Sequence, residues 1–176
     1  MNKEKILLAL FSKRGQNWVG DSVCSLAKGN NEVVAEKIRQ ILGDVNVFKI
    51  EPVEPYPDDY YACTDQAKDE LRRQARPELK GMVENMEQYD TVILGYPNWW
   101  GQLPMPVFTF LESYDFDGKN IVPYCTHEGS GLSVTVRSII RALPNAVIGQ
   151  PLAIQGARVG GSDSEIKNWL KVNGLI

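Results

Sequence analysis

Two adjacent indoles followed by a glycine, Trp99-Trp100-Gly101, are the residues of this 176-residue chain that point most directly to chemistry. They close the stretch Gly95-Tyr96-Pro97-Asn98-Trp99-Trp100-Gly101, which begins where a short apolar run ends. Large apolar rings belong in cores, so two of them at a Pro-Asn turn read either as local packing or as a stacking platform for a flat aromatic ligand. Two other stretches carry donors. Ser12, Lys13 and Asn17, with Asn30 and Asn31 at a helix opening by Gly29, supply hydroxyl, cationic and amide groups. The helix start adds unpaired backbone N–H groups and the positive end of its dipole, which together suit a phosphate. The same residues also serve ordinary helix capping. They match neither the Walker spacing nor the dinucleotide Gly-x-Gly-x-x-Gly fingerprint. In Thr126-His127-Glu128-Gly129-Ser130-Gly131, two glycines and small side chains let backbone groups approach a ligand edge. There His127 can donate a hydrogen bond or cover a ring face, unless it is simply an exposed histidine.

These three stretches need a scaffold that brings them together. Ile6-Leu7-Leu8-Ala9-Leu10-Phe11 is a continuous apolar run, as in a central parallel strand covered on both faces. Trp18 to Lys28 shows no clear period and reads as a loop insertion. Val34, Ile38, Ile41 and Leu42 then recur at helical spacing with Gly43 as the stop, and Val45 to Ile50 alternates like a half-exposed strand. Pro52, Pro55 and Pro57 predict an extended segment, after which Asp58 or Asp59 caps a short helix through Leu71. Arg72, Arg73 and Arg76 read as solvated charge rather than as an anion site. Thr91 to Leu94 is the third strand, and Val107, Phe108, Phe110 and Leu111 form the apolar side of the helix after the tryptophans. Asn120 to Cys125 is the fourth strand, although Pro123 argues against a central position because proline cannot donate to a ladder. Leu132, Val136, Ile139, Ile140 and Leu143 make a further helix, broken by Pro144. A fifth strand between Ala146 and Ile154 can be split by Pro151. Ser162-Asp163-Ser164-Glu165 has the capping-box pattern of a last helix, with Ile166, Trp169 and Leu170 inward. Strands alternating with helices imply a doubly wound, mostly parallel α/β sheet, in one domain. Such sheets bind ligands beyond the carboxyl ends of their strands. The three unusual stretches are the loops after strands one, three and four.

Composition narrows the alternatives. The hydrophobic fraction of 43% and charged fraction of 23% are ordinary for a globular protein. No apolar run is long enough to cross a membrane, and Met1 to Lys5 leads directly into a strand rather than a signal peptide. A cytoplasmic protein is expected, with no membrane partner. Cys24, Cys63 and Cys125 show neither metal nor redox spacing, which fits a reducing compartment. One histidine leaves little room for a zinc site or a Ser-His-Asp triad. The net charge of −3 makes no electrostatic case for nucleic acid.

A flat ring on tryptophan, its polar edge on backbone amides and a phosphate at the first loop, describes flavin mononucleotide (FMN) better than a nucleoside triphosphate. The sequence resembles the flavodoxin-like flavoproteins, most closely a bacterial subgroup with Pro-Asn-Trp-Trp-Gly, here Pro97 to Gly101. The resemblance extends through Glu51-Pro52-Val53-Glu54-Pro55-Tyr56-Pro57, Phe108-Thr109-Phe110-Leu111-Glu112 and Cys125 to Gly131. It implies a flavodoxin-like three-layer α/β/α sandwich with a five-stranded parallel sheet in the order 2-1-3-4-5. It also implies that Ser12 and Gly29-Asn30-Asn31 hold the FMN phosphate, with Pro97, Asn98, Trp99, Trp100 and Gly101 on one flank of the isoalloxazine. Thr126, His127, Gly129, Ser130 and Gly131 stand on the other. Two departures stand out. The family's Ser-x-Thr-Gly-Asn-Thr loop is split here by the insertion, with Asn31 where threonine is usual, and Asn17 and Trp18 in the insertion are placed to close over the site. The third loop also lacks the tyrosine that often covers the outer flavin face.

Three functions follow as expectations. One is an electron carrier between redox partner proteins, in which the Gly101 peptide can flip to meet the reduced flavin edge. Another is an NAD(P)H-dependent FMN oxidoreductase serving a quinone or similar acceptor, with His127 the candidate catalytic residue. The third is an interaction domain without cofactor. A monomer or a small homo-oligomer is compatible with each.

Overall fold

The computed structural model describes residues 5–176. Met1 to Glu4, read above as running straight into a strand, lie outside the described residues. Strand β1 (Ile6–Leu10) is followed by a hairpin, β2 (Gly15–Val19) and β3 (Ser22–Leu26), and then by α1 (Asn30–Leu42) and β4 (Asn46–Lys49). Helix α2 (Tyr60–Arg73), β5 (Thr91–Pro97), α3 (Met105–Glu112), β6 (Asn120–His127) and α4 (Thr135–Ala142) come next. The short strands β7 (Val147–Ile148) and β8 (Leu152–Gln155) and helix α5 (Asp163–Val172) complete the chain.

The main sheet runs β4-β1-β5-β6-β7, with β8 also on β6, and all its pairings are parallel. With β7 and β8 taken as one interrupted strand, this is the expected order 2-1-3-4-5. Period-two alternation divides β1 between two cores. Leu7, Ala9 and Phe11 join Val107, Phe110, Leu111 and Ile139 from α3 and α4, with Leu71 of α2 packed alongside. Ile6, Leu8 and Leu10 join Val34, Ile38 and Leu42 of α1 and Ile166, Trp169 and Leu170 of α5. Helices therefore cover both faces, making three layers. No described helix is long and apolar enough to cross a membrane.

Pro123 does sit in a central strand, and the break in the fifth strand explains how. Ile121 O accepts from Gly149 N at 2.8 Å, on the outer edge of β6. Two residues further on, Pro123 faces the same edge. The gap between Ile148 and Leu152, which contains Pro151, falls where its missing donor would be needed.

Several boundaries differ from expectation. The insertion is a hairpin rather than a loop: Gly15 pairs with Leu26 and Val19 with Ser22 around Gly20-Asp21, with Gly20 at φ +66°. Strands β5 and β6 each extend past their expected ends, through Pro97 and His127. Asp59, not Asp58, caps α2 by accepting from the Ala62 amide at 2.8 Å, and the helix continues to Arg73. The Ser162 capping box does not form, because Ser162 Oγ donates to Val159 O at 2.8 Å. The basic cluster is paired: Arg72 and Arg73 meet Asp69, and Arg76 meets Glu112.

Candidate functional site

A cavity of about 510 Å³ opens at the carboxyl ends of β1, β5 and β6. This is the switch point, where the order leaves β1 for β4 on one side and β5 on the other. Of the residues singled out in the sequence, Ser12, Lys13, Asn17, Trp18, Asn30, Asn31, Pro97, Asn98, Trp99, Trp100, Gly101, Thr126, His127 and Ser130 line it. Gly29, Gly129 and Gly131, also singled out, are not among the lining residues. Gly29 is required as glycine, since a Cβ there would lie 2.2 Å from Ser12 Oγ and 2.5 Å from Lys13 O.

At one end, Ser12 and α1 meet. Ser12 Oγ accepts the Glu32 amide at 3.1 Å, which leaves its own proton free to donate. The first amides of α1, at Asn30 and Asn31, have no intrahelical acceptor. The Asn31 side chain does not face a phosphate as expected: its amide donates to Thr126 Oγ1 at 2.8 Å, and its Oδ1 is buried without a partner. Tyr124 Oη donates to Asn31 O at 3.0 Å, fixing the helix start to β6. Lys13 is committed to the loop, its ammonium donating to Gln16 O at 3.0 Å and to Asp58 O at 3.3 Å. Asn17 likewise braces the loop, with its amide on Lys13 O and Gly15 O, both at 3.1 Å.

The tight turn lies at Trp100-Gly101 rather than at Pro97-Asn98. Trp99 and Gln102 exchange two backbone hydrogen bonds of 3.0 Å, and the two central residues have φ of +57° and +77°. Positive φ at both positions is the mark of a type I′ turn, which favours Asn or Gly over a bulky residue at Trp100. Asn98 holds the turn from behind, its Oδ1 accepting the Gly101 amide at 2.9 Å and its Nδ2 donating to Gly131 O at 2.8 Å and Ser133 Oγ at 3.0 Å. The two indoles divide their duties. Trp99 packs edge-on against Phe11 and Tyr56, with centroids 5.2 and 4.9 Å away. Trp100 is 51% exposed at the mouth, with Lys68 Nζ 4.9 Å from its ring centroid.

His127 ends β6, and its Nδ1 accepts from Gly129 N at 2.9 Å. The neutral ring therefore carries its proton on Nε2. Six lining residues were not anticipated: Gln16, Tyr60, Cys63, Thr64, Ala67 and Glu128. Four of them come from α2, which carried no ligand signal in its sequence. Tyr60 lies 5.9 Å from the Trp18 ring, so the hairpin and α2 bring aromatic rings to a cavity whose third loop has none besides His127. Burial raises the Tyr60 hydroxyl above its ordinary value, and pushes the Cys63 thiol up to about 11. Cys63 is therefore a neutral thiol at physiological pH and no ready nucleophile.

A protein family described as Flavodoxin matches residues 22–173 of the chain. No curated protein sequence matches it. Among solved structures, a protein of Bacteroides eggerthii DSM 20697 assigned as a flavoprotein shares 27% identity at a TM-score of 0.77, over 97% of this chain and 98% of that one. A similarly assigned protein of Bacteroides uniformis ATCC 8492 shares 26% at 0.76, over 97% and 99%. A flavoprotein of Lactobacillus acidophilus NCFM, solved in complex with FMN, shares the fold at 20% identity and a TM-score of 0.67, over 94% and 98%.

Proposed function

The chain belongs to the flavodoxin family, and on that premise we propose that it binds FMN in the switch-point cavity and transfers electrons through the bound flavin. The observation that carries this is one cavity with two unlike ends. One end offers the Ser12 hydroxyl and the open amides of α1, suited to a phosphate; the other offers a half-exposed indole on a strained turn, suited to a flat ring. The volume of about 510 Å³ is in the range of small-molecule sites. Gly29, where a side chain would fill the phosphate end, and the unpartnered Asn31 Oδ1, which can accept a hydroxyl, fit the same ligand.

FMN supplies reversible uptake of electrons when bound. The protein's part is to place and tune it. Ser12 and the Asn30 and Asn31 amides bind the phosphate, and Trp100 carries the ring. Asn98 holds the Trp100–Gly101 turn that would meet the flavin, and His127 Nε2–H would be available as a donor to the flavin or to a substrate. Trp18 and Tyr60 exclude water where the third loop has no tyrosine. Electrons pass to a partner protein in this reading, and the three unpaired cysteines support a reducing compartment such as the cytoplasm.

A second reading, an NAD(P)H-dependent FMN oxidoreductase acting on a quinone, is favoured by one observation: Trp100 is half exposed at an open mouth that can admit a second ring. One experiment separates the readings. Titration with FMN should quench flavin fluorescence, and anaerobic reduction should follow dithionite but not NAD(P)H. Rapid bleaching by NAD(P)H alone would move the assignment to the oxidoreductase. A protein that stays colourless and leaves FMN fluorescence unchanged would overturn both.

A further inference from the structure

The hairpin that interrupts the first loop is tied to distant parts of the chain at both its base and its tip. At the base, Gln16 Oε1 accepts the Tyr60 amide at 3.0 Å, and the Lys13 ammonium bridges Gln16 O and Asp58 O. At the tip, Gly20 N donates to Glu128 Oε2 at 3.3 Å, across 108 residues of sequence. Gln16 at the base lines the cavity, and so do Asn17 and Trp18 beyond it. The hairpin thus runs along the cavity from the α2 side to the third-loop side, as a strap would.

The two attachments are unequal. Several hydrogen bonds, some partly buried, hold the base. At the tip, Trp18 Nε1 donates to Gly20 O at 3.0 Å within the hairpin, and Glu128 is the one side chain from outside the hairpin that hydrogen-bonds the tip among the described residues. That carboxylate is poorly served where it sits. Gln155 Nε2 reaches the same Oε2 only at 3.5 Å, and Oε1 is buried with no partner. Gly156 makes the position possible, since a Cβ there would stand 2.3 Å from Oε1. A buried acceptor without a donor is destabilising, and exposure to water relieves it. A firm base and a tip contact that carries this cost are what a door with a weak catch requires.

We propose that the hairpin Gly15–Leu26 is a gate over the cofactor cavity and that Glu128 is the positioning residue that latches its tip, setting how fast flavin enters and leaves. The gating of flavin rests on the FMN reading above; the latch does not. With the latch open, the hairpin swings on the Gln16–Tyr60 base, Trp18 leaves the cavity wall, and Glu128 turns to solvent.

The test combines two measurements on the full chain and its Glu128→Ala and Glu128→Gln variants. Hydrogen exchange on the apoprotein should rise by about tenfold over residues 16–26 in Glu128→Ala, with β5 and β6 unchanged, because one local opening is favoured. Stopped-flow mixing with FMN should then show association and dissociation accelerated by similar factors, with little change in Kd. Glu128→Gln, whose carbonyl oxygen can still accept from Gly20, should restore both. A merely structural role would change Kd or global stability instead. Unchanged hairpin exchange in Glu128→Ala overturns the latch, and raised exchange with unchanged FMN rates overturns the gate. If the unmodified protein takes up no FMN, the functional reading fails, while the exchange data still judge the latch.

Discussion

The Trp100 indole N–H donates to the Thr64 carbonyl oxygen at 2.9 Å, from a residue whose φ is +57°. A bulky side chain in the left-handed region costs about 1–2 kcal/mol, so the turn is held in place by its surroundings. The Thr64 contact, the Lys68 ammonium near the ring and the Asn98 bond to the Gly101 amide are those surroundings. All of them fix one indole at the cavity mouth, and a turn that needed only to reverse the chain would not require any ring there.

The strain itself can be measured. Trp100→Gly places a residue at home with positive φ in the turn, whereas Trp100→Ala keeps the penalty. The glycine variant should be more stable than the alanine variant by about 1 kcal/mol, reversing the usual order of the two residues. Urea denaturation of the apoproteins reads the difference. If alanine proves the more stable, the turn is not under this strain.

The same position should separate binding from packing. Trp100→Ala should weaken FMN by roughly 1–3 kcal/mol, as when an aromatic platform is removed from under a nucleobase. Trp99→Ala removes a partly buried ring packed against Phe11 and Tyr56 and should lower stability by about 2–3 kcal/mol, below the range for a fully buried tryptophan. Fluorescence titration and urea melts on both variants show whether the two losses part company. Equal effects on affinity would mean that the indoles do not divide their duties.

The order of helices and strands could be read from the sequence because buried faces impose a period, as Val34, Ile38 and Leu42 do on α1. The hairpin could not. Gly15 to Val19 are mixed in polarity and mostly half-buried, so neither face prints an alternation. The carboxyl end of β5 was hidden for another reason: Gly95 and Pro97 usually mark turns, yet here each serves the strand. Within the site, the ring and phosphate ends were legible from residue type. The contribution of α2 was not, since Tyr60, Cys63, Thr64 and Ala67 reach the cavity only through the cap at Asp59 and the packing of their helix. The role of Glu128 was likewise invisible, because it depends on a hairpin tip more than a hundred residues earlier.

Gly95 is a strand residue because Tyr124 lies against it. A Cβ at Gly95 would stand 2.1 Å from the Tyr124 ring, which is fully buried. Tyr124 cannot yield without releasing its hydroxyl from Asn31 O, the bond that fixes the start of α1. Gly95→Ala should therefore cost about 3 kcal/mol or more, the upper end for an overpacked core, and should also weaken FMN by disturbing the phosphate end. Gly118→Ala, in open space though at φ +73°, serves as the contrast and should leave FMN affinity unchanged. Calorimetry and FMN titration on the pair would refute the account if Gly95→Ala melted with the parent.

Alkaline pH offers the last test. Burial pushes the thiols of Cys63 and Cys125 up to about 11 and about 12. In the unfolded chain a thiol ionises near 8.5. Below that value both states hold these protons, and the contribution to stability is constant. Above it the unfolded state releases protons that the folded state keeps, so rising pH favours unfolding until the folded thiols themselves ionise. Each group then contributes a slope of about 1.4 kcal/mol per pH unit. Urea midpoints should be level in this respect between pH 7 and 8, and should fall from about pH 9 upward. Tyr56, Tyr96 and Tyr124 are also raised by burial and steepen the fall beyond the ordinary tyrosine value near 10. The window from 9 to 10 therefore belongs mainly to the cysteines, and the Cys63→Ala/Cys125→Ala double variant should flatten it. Iodoacetamide at pH 8 gives an independent reading: half-exposed Cys24 should be alkylated first, with Cys63 and Cys125 following only on unfolding. A double variant that kept the full slope would show that the two thiols are not the groups resisting ionisation.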